Sequence, residues 1–477
     1  MSAHGLIPAA DTKVLSLPVG IPGALSLRND SAQDLRAFGL PLTSGPRMFS
    51  SQLTPNKFLS GESPDSPWGF GLASPRQEDQ SDSASCSSAS DDESGTEGYL
   101  LETCRQLSAY VRCNMEDLLF CENCSSAANA VISSSRIEEG DVCITFSTAY
   151  GMVRNKLLME CSARKAEVRQ LQVEFPGGGS KPTGPGGESL PAALGQLLRS
   201  VASEGRRVAL VCMDHISSAP GCVMPVMDLC RAARQELAAD VPIALDAAHV
   251  LGQVDVNLRA LEEAGCTHWF SDGHKWFFSP KGSALLWCSE PFQAELLPAV
   301  KGAVASNSRL YGFTKTSVIG AYTEVQQRFL YTGTRDYTPW CAMAEALAFR
   351  QWIGEATILE RNRNLALWGS KLLADAWGTE TLLDEGSTAM MAHARLPVDT
   401  EDEAVMIGEV LSMHGVHCLL FPLARPASQG GEVRYWARPC AQLFVAEADF
   451  HKLATITLEA LPDVKSLCST KSIASSI

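Results

Sequence analysis

The feature that most constrains this chain is a pair of short apolar runs, each ending in reactive side chains. Val241-Pro242-Ile243-Ala244-Leu245 runs into Asp246-Ala247-Ala248-His249, and about thirty residues later Trp269-Phe270-Ser271-Asp272-Gly273 runs into His274-Lys275-Trp276. Apolar runs of this length that stop at a turn read as strands buried on both faces, the kind that make parallel sheets. Ligands of open α/β sheets gather outside the carboxyl ends of such strands. The sequence therefore predicts a carboxylate, an imidazole and a lysine collected at one sheet edge.

A lysine between a histidine and a tryptophan, flanked by apolar runs, reads as an amine held in a pocket. Taking an ammonium out of water favours its neutral form, which is the nucleophile that forms a Schiff base with a carbonyl. The alternative is a surface lysine whose stem packs on Trp276. Asp246 favours the pocket. A carboxylate one strand away is what pyridoxal phosphate requires to keep its pyridine nitrogen protonated, so that the ring accepts electrons.

A phosphate end is also legible. Asp117-Leu118-Leu119-Phe120 reads as a strand running into Glu122-Asn123-Cys124-Ser125-Ser126-Ala127-Ala128, small residues that open a helix. Free backbone N–H groups and the helix dipole suit an anion there. Without the other motifs this loop is an ordinary helix cap.

With Asp214-His215-Ile216-Ser217-Ser218 upstream, Pro280-Lys281-Gly282 after the lysine, and Gly333-Thr334-Arg335-Asp336 downstream, the chain resembles a class V aminotransferase. The resemblance runs from about Tyr99 to the C-terminus and points to the isopenicillin N epimerase-like and cysteine desulfurase-like branch of these fold-type I enzymes. It implies an α/β fold, with a large, mostly parallel mixed-sheet domain and a smaller α+β C-terminal domain. It also implies pyridoxal 5'-phosphate as cofactor, an amino acid as substrate, and a homodimer with shared active sites.

Carried over residue by residue, the resemblance gives Lys275 the Schiff base and the proton shuttle. Asp246 holds the pyridine nitrogen and His249 meets the ring hydroxyl. Cys124, Ser125 and His274 hold phosphate, joined by Thr334 from the neighbouring subunit. Arg438, in the segment Arg434 to Gln442, grips the substrate carboxylate through the bidentate pairing at which arginine excels; Arg434 is a competing candidate.

Three positions depart from the family. Relatives carry an Asn-His-Gly-Ser-Phe-Gly type stretch where this chain has Phe58-Leu59-Ser60-Gly61-Glu62-Ser63-Pro64, and a ring-stacking histidine where it has Thr148, which leaves Tyr150 either to cover the ring or to stand behind the site as a core tyrosine. Asp272 stands where many desulfurases have serine. A carboxylate beside a phosphate is repelled, so Asp272 is expected outside the site.

The 477 residues divide into a tail (1–34), an N-terminal arm (35–76), an acidic serine-rich disordered linker (77–98), a large cofactor-binding domain (99–335) and a small domain (336–477). In the last, helical spacing covers Ala342 to Trp352 and Ile358 to Trp377, with short strands around Met390 to Leu396 and Val416 to Phe421. A net charge of -15 gives no basic footprint for nucleic acid, and no run of about 18 apolar residues suggests a membrane span. Sixteen scattered cysteines, with no signal peptide read, suggest reduced thiols inside the cell, most simply in the cytoplasm. Asp11, Asp30 and Asp34 argue against an organelle-targeting segment. Cys121 and Cys124 form a lone C-x-x-C without a second ligand pair, so no metal is expected.

The reaction subtype stays open among epimerase, cysteine desulfhydrase or other lyase, and transaminase. A desulfurase would use a mobile cysteine, for which Cys418 is the candidate; the other reading of Cys418 is a buried structural thiol. A non-catalytic homologue with a regulatory or assembly role is a further alternative. Retention of Lys275, Asp246 and Arg438 together favours an enzyme.

Overall fold

The computed structural model describes residues 96–302 and 322–474. The tail, the arm with Phe58 to Pro64, and nearly all of the acidic linker lie outside them. The first helix, Thr96–Val111, starts three residues earlier than its apolar spacing from Tyr99 suggests.

Seven strands form the main sheet: β1 (Leu118–Cys121), β2 (Val142–Phe146), β3 (Glu167–Leu171), β4 (Val208–Asp214), β5 (Ile243–Asp246), β6 (His268–Asp272) and β7 (Ala284–Cys288). Their order is β1-β7-β6-β5-β4-β2-β3, and β7 alone runs against its neighbours. Every strand but β3 is buried along its whole length, which is why these segments read as apolar runs rather than alternating ones. β3, at the edge, is Glu-Val-Arg-Gln-Leu, and its charged side chains blunt further pairing.

Alternate residues of each strand feed opposite faces. Leu118, Phe120, Ile144, Val211 and Leu245 pack in one apolar cluster with the helices Leu190–Ser203 and Val226–Glu236. Leu119, Cys121, Cys143, Leu210 and Ala244 pack in another with Cys124–Ser134 and Gly151–Arg164. The sheet is thus covered on both sides, as the α/β reading requires.

A smaller antiparallel sheet follows, with β8 (Ala394–Arg395), β9 (Leu419–Ala424) and β10 (Val433–Arg438) in the order β8-β10-β9. It packs with the helices Glu355–Trp377, Glu401–Met413 and Glu447–Ala474 around Leu373, Ile407, Ala437 and Phe450. This is the expected α/β architecture with a smaller α+β part. The strand expected over Met390 to Leu396 shrinks to two ladder residues, because its start makes an isolated bridge to Cys440 instead.

Candidate active site

A cavity of about 200 Å³ opens at the carboxyl edge of the large sheet, and its whole lining comes from the strand ends. Asn123, Cys124 and Ser125 follow β1; Tyr150 and Met152 follow β2; Asp214, Ile216 and Ser218 close or follow β4. Asp246, Ala248 and His249 come from β5, and Asp272, His274 and Lys275 from β6. Five parallel strands point their C-terminal residues into one space. A larger cavity, about 500 Å³, lies at the opposite end of the strands among Arg207, Pro242, His268 and Phe292, away from this chemistry.

Lys275 Nζ sits 2.9 Å from Asp272 Oδ2, with the lysine about a third exposed and the aspartate buried. Asp272 Oδ1 accepts the N–H of Cys124 at 2.8 Å, the first residue of the Cys124–Ser134 helix. The expectation that Asp272 lies outside the site is therefore incorrect. Its charge is compensated locally by an ammonium and a helix N-terminus, which a reading based on repulsion from phosphate leaves out.

The turn carrying Lys275 is held from behind by Arg350, which is fully buried. Its guanidinium donates to Trp276 O at 3.1 Å and Gly252 O at 3.0 Å, and pairs with Glu355 at 2.8 and 2.5 Å. Gly252 has φ +88°, and a Cβ there would stand 2.7 Å from Trp276 O. Backbone and arginine together fix the lysine's direction.

Asp246 Oδ1 accepts the N–H of Ala248 at 3.0 Å. Burial pushes its carboxyl up to about 6, with that N–H and the Lys275 ammonium pulling the other way. Asp214 lies beside it, in register across β4 and β5. Burial, and then the charge of Asp246, push Asp214 up to about 7 against the Thr148 hydroxyl, which donates to Oδ2 at 2.6 Å. Thr148 is thus committed to Asp214, while Tyr150, half-exposed, lines the cavity.

Trp276 Nε1 donates to His249 Nδ1 at 3.2 Å. An indole N–H only donates, so Nδ1 is an acceptor and the neutral ring carries its proton on Nε2. Burial, then Lys275 and Arg438, hold the His249 pKa well below its usual range, so the ring is neutral near pH 7. His274 is the mirror case. Its Nδ1 donates to Ser283 O at 3.0 Å, leaving Nε2 3.8 Å from Asp272 Oδ1.

Arg438 sits just behind the lining and donates through Nη1 to Ser218 O, while its buried Nε has no hydrogen-bond partner among the described residues. Arg434 is engaged by Glu380 and Glu432. Of the two candidates, Arg438 is the one with donor capacity left for an incoming carboxylate. Cys124 presents the cavity's thiol, pushed well above its usual pKa by burial and then by Asp272. Thr334 is exposed and takes no part in its own chain's cavity. Cys418 does not line the cavity either; burial pushes its thiol up to about 12, and Sγ donates to Leu419 O at 3.6 Å.

Lys275, Asp246 and His249 converge on a cavity with an unpartnered arginine nitrogen at its back, an arrangement that suits the aldehyde, ring nitrogen and hydroxyl of pyridoxal phosphate. Fold and site define a pyridoxal phosphate-dependent enzyme acting on amino acids. The chain belongs to the aminotransferase class-V family, whose model matches residues 83–438. It is 27% identical over 391 residues to the L-cysteine desulfhydrase-like protein lolT1 of Epichloe uncinata, covering 74% of this chain and 82% of that one. The isopenicillin N epimerase of Amycolatopsis lactamdurans is 28% identical over 316 residues, 65% of this chain and 74% of that one. Among solved structures, the apo cysteine desulfurase from Thermococcus onnurineus NA1 shares the fold, with a TM-score of 0.60 at 16% identity, over 77% of this chain and 85% of that chain.

Proposed function

We propose that this enzyme is a carbon–sulfur lyase of the cysteine desulfhydrase type, converting L-cysteine and water to sulfide, ammonia and pyruvate. The observation that carries this reading is the absence, among the described residues, of a thiol suited to attack in the cavity. Cys418 lies off the lining, and the Cys124 thiol is held protonated by burial. A desulfurase requires such a thiolate; a β-elimination does not. The naming of several relatives as cysteine desulfhydrases supports the same choice.

Each residue then has a defined task. When bound, the cofactor supplies an electron sink for the pair left at the substrate α-carbon. Asp246 holds the proton of the ring nitrogen, and His249 offers Nε2–H to the ring hydroxyl. Arg438 pairs the substrate carboxylate through its unpartnered Nε and its Nη groups. Lys275 Nζ, released from Asp272, takes the α-proton and returns it to the departing sulfur. Ser125 and His274 stand at the phosphate end, with Cys124 at the start of the helix.

Thr334, exposed and outside its own chain's cavity, is proposed to complete the phosphate end of a second subunit in a homodimer. The eleven buried cysteines among the described residues are free thiols, which supports a reducing, cytoplasmic setting.

The test is incubation of the purified, cofactor-loaded enzyme with L-cysteine. Equal sulfide and pyruvate are expected. Alanine with protein-bound sulfur would assign a desulfurase instead, and α-proton exchange without sulfide would assign an epimerase.

A further inference from the structure

The groups best placed to receive a phosphate in this cavity already surround a carboxylate. Asp272 Oδ1 accepts the first N–H of the Cys124–Ser134 helix at 2.8 Å and lies 3.8 Å from His274 Nε2, and Oδ2 lies 2.9 Å from Lys275 Nζ. A backbone donor and an ammonium thus converge on one buried anion. The wall has little positive charge to spare. Among the described residues, Lys275 is the one lysine or arginine in the lining, against the carboxyl groups of Asp214, Asp246 and Asp272. Arg335 is engaged by Glu122 and stacked over Trp340 at 4.0 Å, with its Nε alone unpartnered among the described residues.

We propose that Asp272 is an internal anion seated at the phosphate end of the cofactor site, and that it sets the enzyme's cofactor selectivity. A phosphate entering there must separate Asp272 from the Cys124 N–H, then share the helix N-terminus with a like charge. An unphosphorylated pyridoxal draws Lys275 away from Asp272 just as the phosphate ester does, but leaves the Cys124 N–H on Asp272 and brings no second anion to the helix N-terminus. The wild-type site therefore gains little from the phosphate group. It binds pyridoxal and pyridoxal phosphate with similar affinity, and removing the Asp272 charge restores a preference for the phosphate ester.

The inference rests on the cofactor but not on the reaction, so its test uses binding alone. Apo protein is titrated with pyridoxal and, separately, with pyridoxal 5'-phosphate, following visible absorbance and quenching of tryptophan emission. The wild type is expected to show dissociation constants within about fivefold of each other. In Asp272→Asn and Asp272→Ser, the constant for the phosphate ester is expected to fall at least tenfold, while that for pyridoxal moves less than threefold. A wild-type preference for the phosphate ester above a hundredfold would overturn the proposal, even if neither variant folds. So would folded variants whose affinity for the phosphate ester matches the wild type. Failure of the lyase reading shows instead as normal binding of both compounds without sulfide release.

Discussion

Asp214 and Asp246 are partners on neighbouring parallel strands, in register and both buried, so two carboxyl groups share one poorly solvated corner of the cavity. Burial raises them to about 7 and about 6, against about 3.9 for an exposed aspartate. The folded apo protein therefore keeps protons that the unfolded chain releases. The stabilisation from this pair is fully present below about pH 4 and is lost as pH rises through 6 and 7. Asp214→Asn removes the larger part. Relative to wild type, this variant should gain roughly 2–4 kcal/mol between pH 4 and pH 8 in denaturant unfolding of the apo protein. A pH-independent difference would contradict the assignment.

Arg350 holds the lysine turn from a fully buried position, through two backbone carbonyls and Glu355. Arg350→Met leaves those acceptors and a carboxylate without their donor, and should cost about 3–5 kcal/mol of stability. Gly252→Ala should cost about 1–3 kcal/mol, from the left-handed backbone alone, with the contact to Trp276 O adding to it. If both variants unfold at the wild-type midpoint, the turn is held by something else.

Lys275→Ala should abolish the visible absorbance that borohydride bleaches in the cofactor-loaded enzyme. It also leaves Asp272 buried without its ammonium, for an expected loss of about 1–3 kcal/mol. Lys275→Ala combined with Asp272→Asn should recover most of that loss, because the stranded charge is gone. Additive losses in the double variant would mean that the ion pair is incidental.

Asp246→Ala should still load cofactor but exchange the substrate α-proton at least about a hundredfold more slowly, since the ring nitrogen loses its charged partner. Exchange at the wild-type rate, measured by loss of deuterium from labelled substrate, would remove Asp246 from its role.

What the sequence made legible was whatever a single strand could carry. The apolar runs before Asp246 and Lys275 are buried on both faces, so burial wrote them directly into composition, and they end where the chemistry sits. Asp272 was misplaced because its surroundings are assembled from distant segments: the Cys124 N–H lies 148 residues away in the chain. The signal that could have corrected this is local, a carboxylate and a lysine three residues apart on one helical turn. Arg350 gave no signal at all. It is the one basic residue of a largely apolar helix, and only the fold supplies the carbonyls it meets. The 28-residue helix Glu447–Ala474 contains Pro462, a residue that ordinarily breaks a helix, and no expectation covered this segment.

The most direct test of the account is turnover of L-cysteine by Cys418→Ser. Its thiol lies outside the cavity lining and is pushed up to about 12 by burial, so the reaction should run without it. With cofactor loading unchanged, the variant is expected to release sulfide and pyruvate in equal amounts, at a rate within about twofold of wild type. Loss of sulfide release with normal cofactor absorbance would contradict the elimination and place this enzyme among those that carry sulfur on a cysteine.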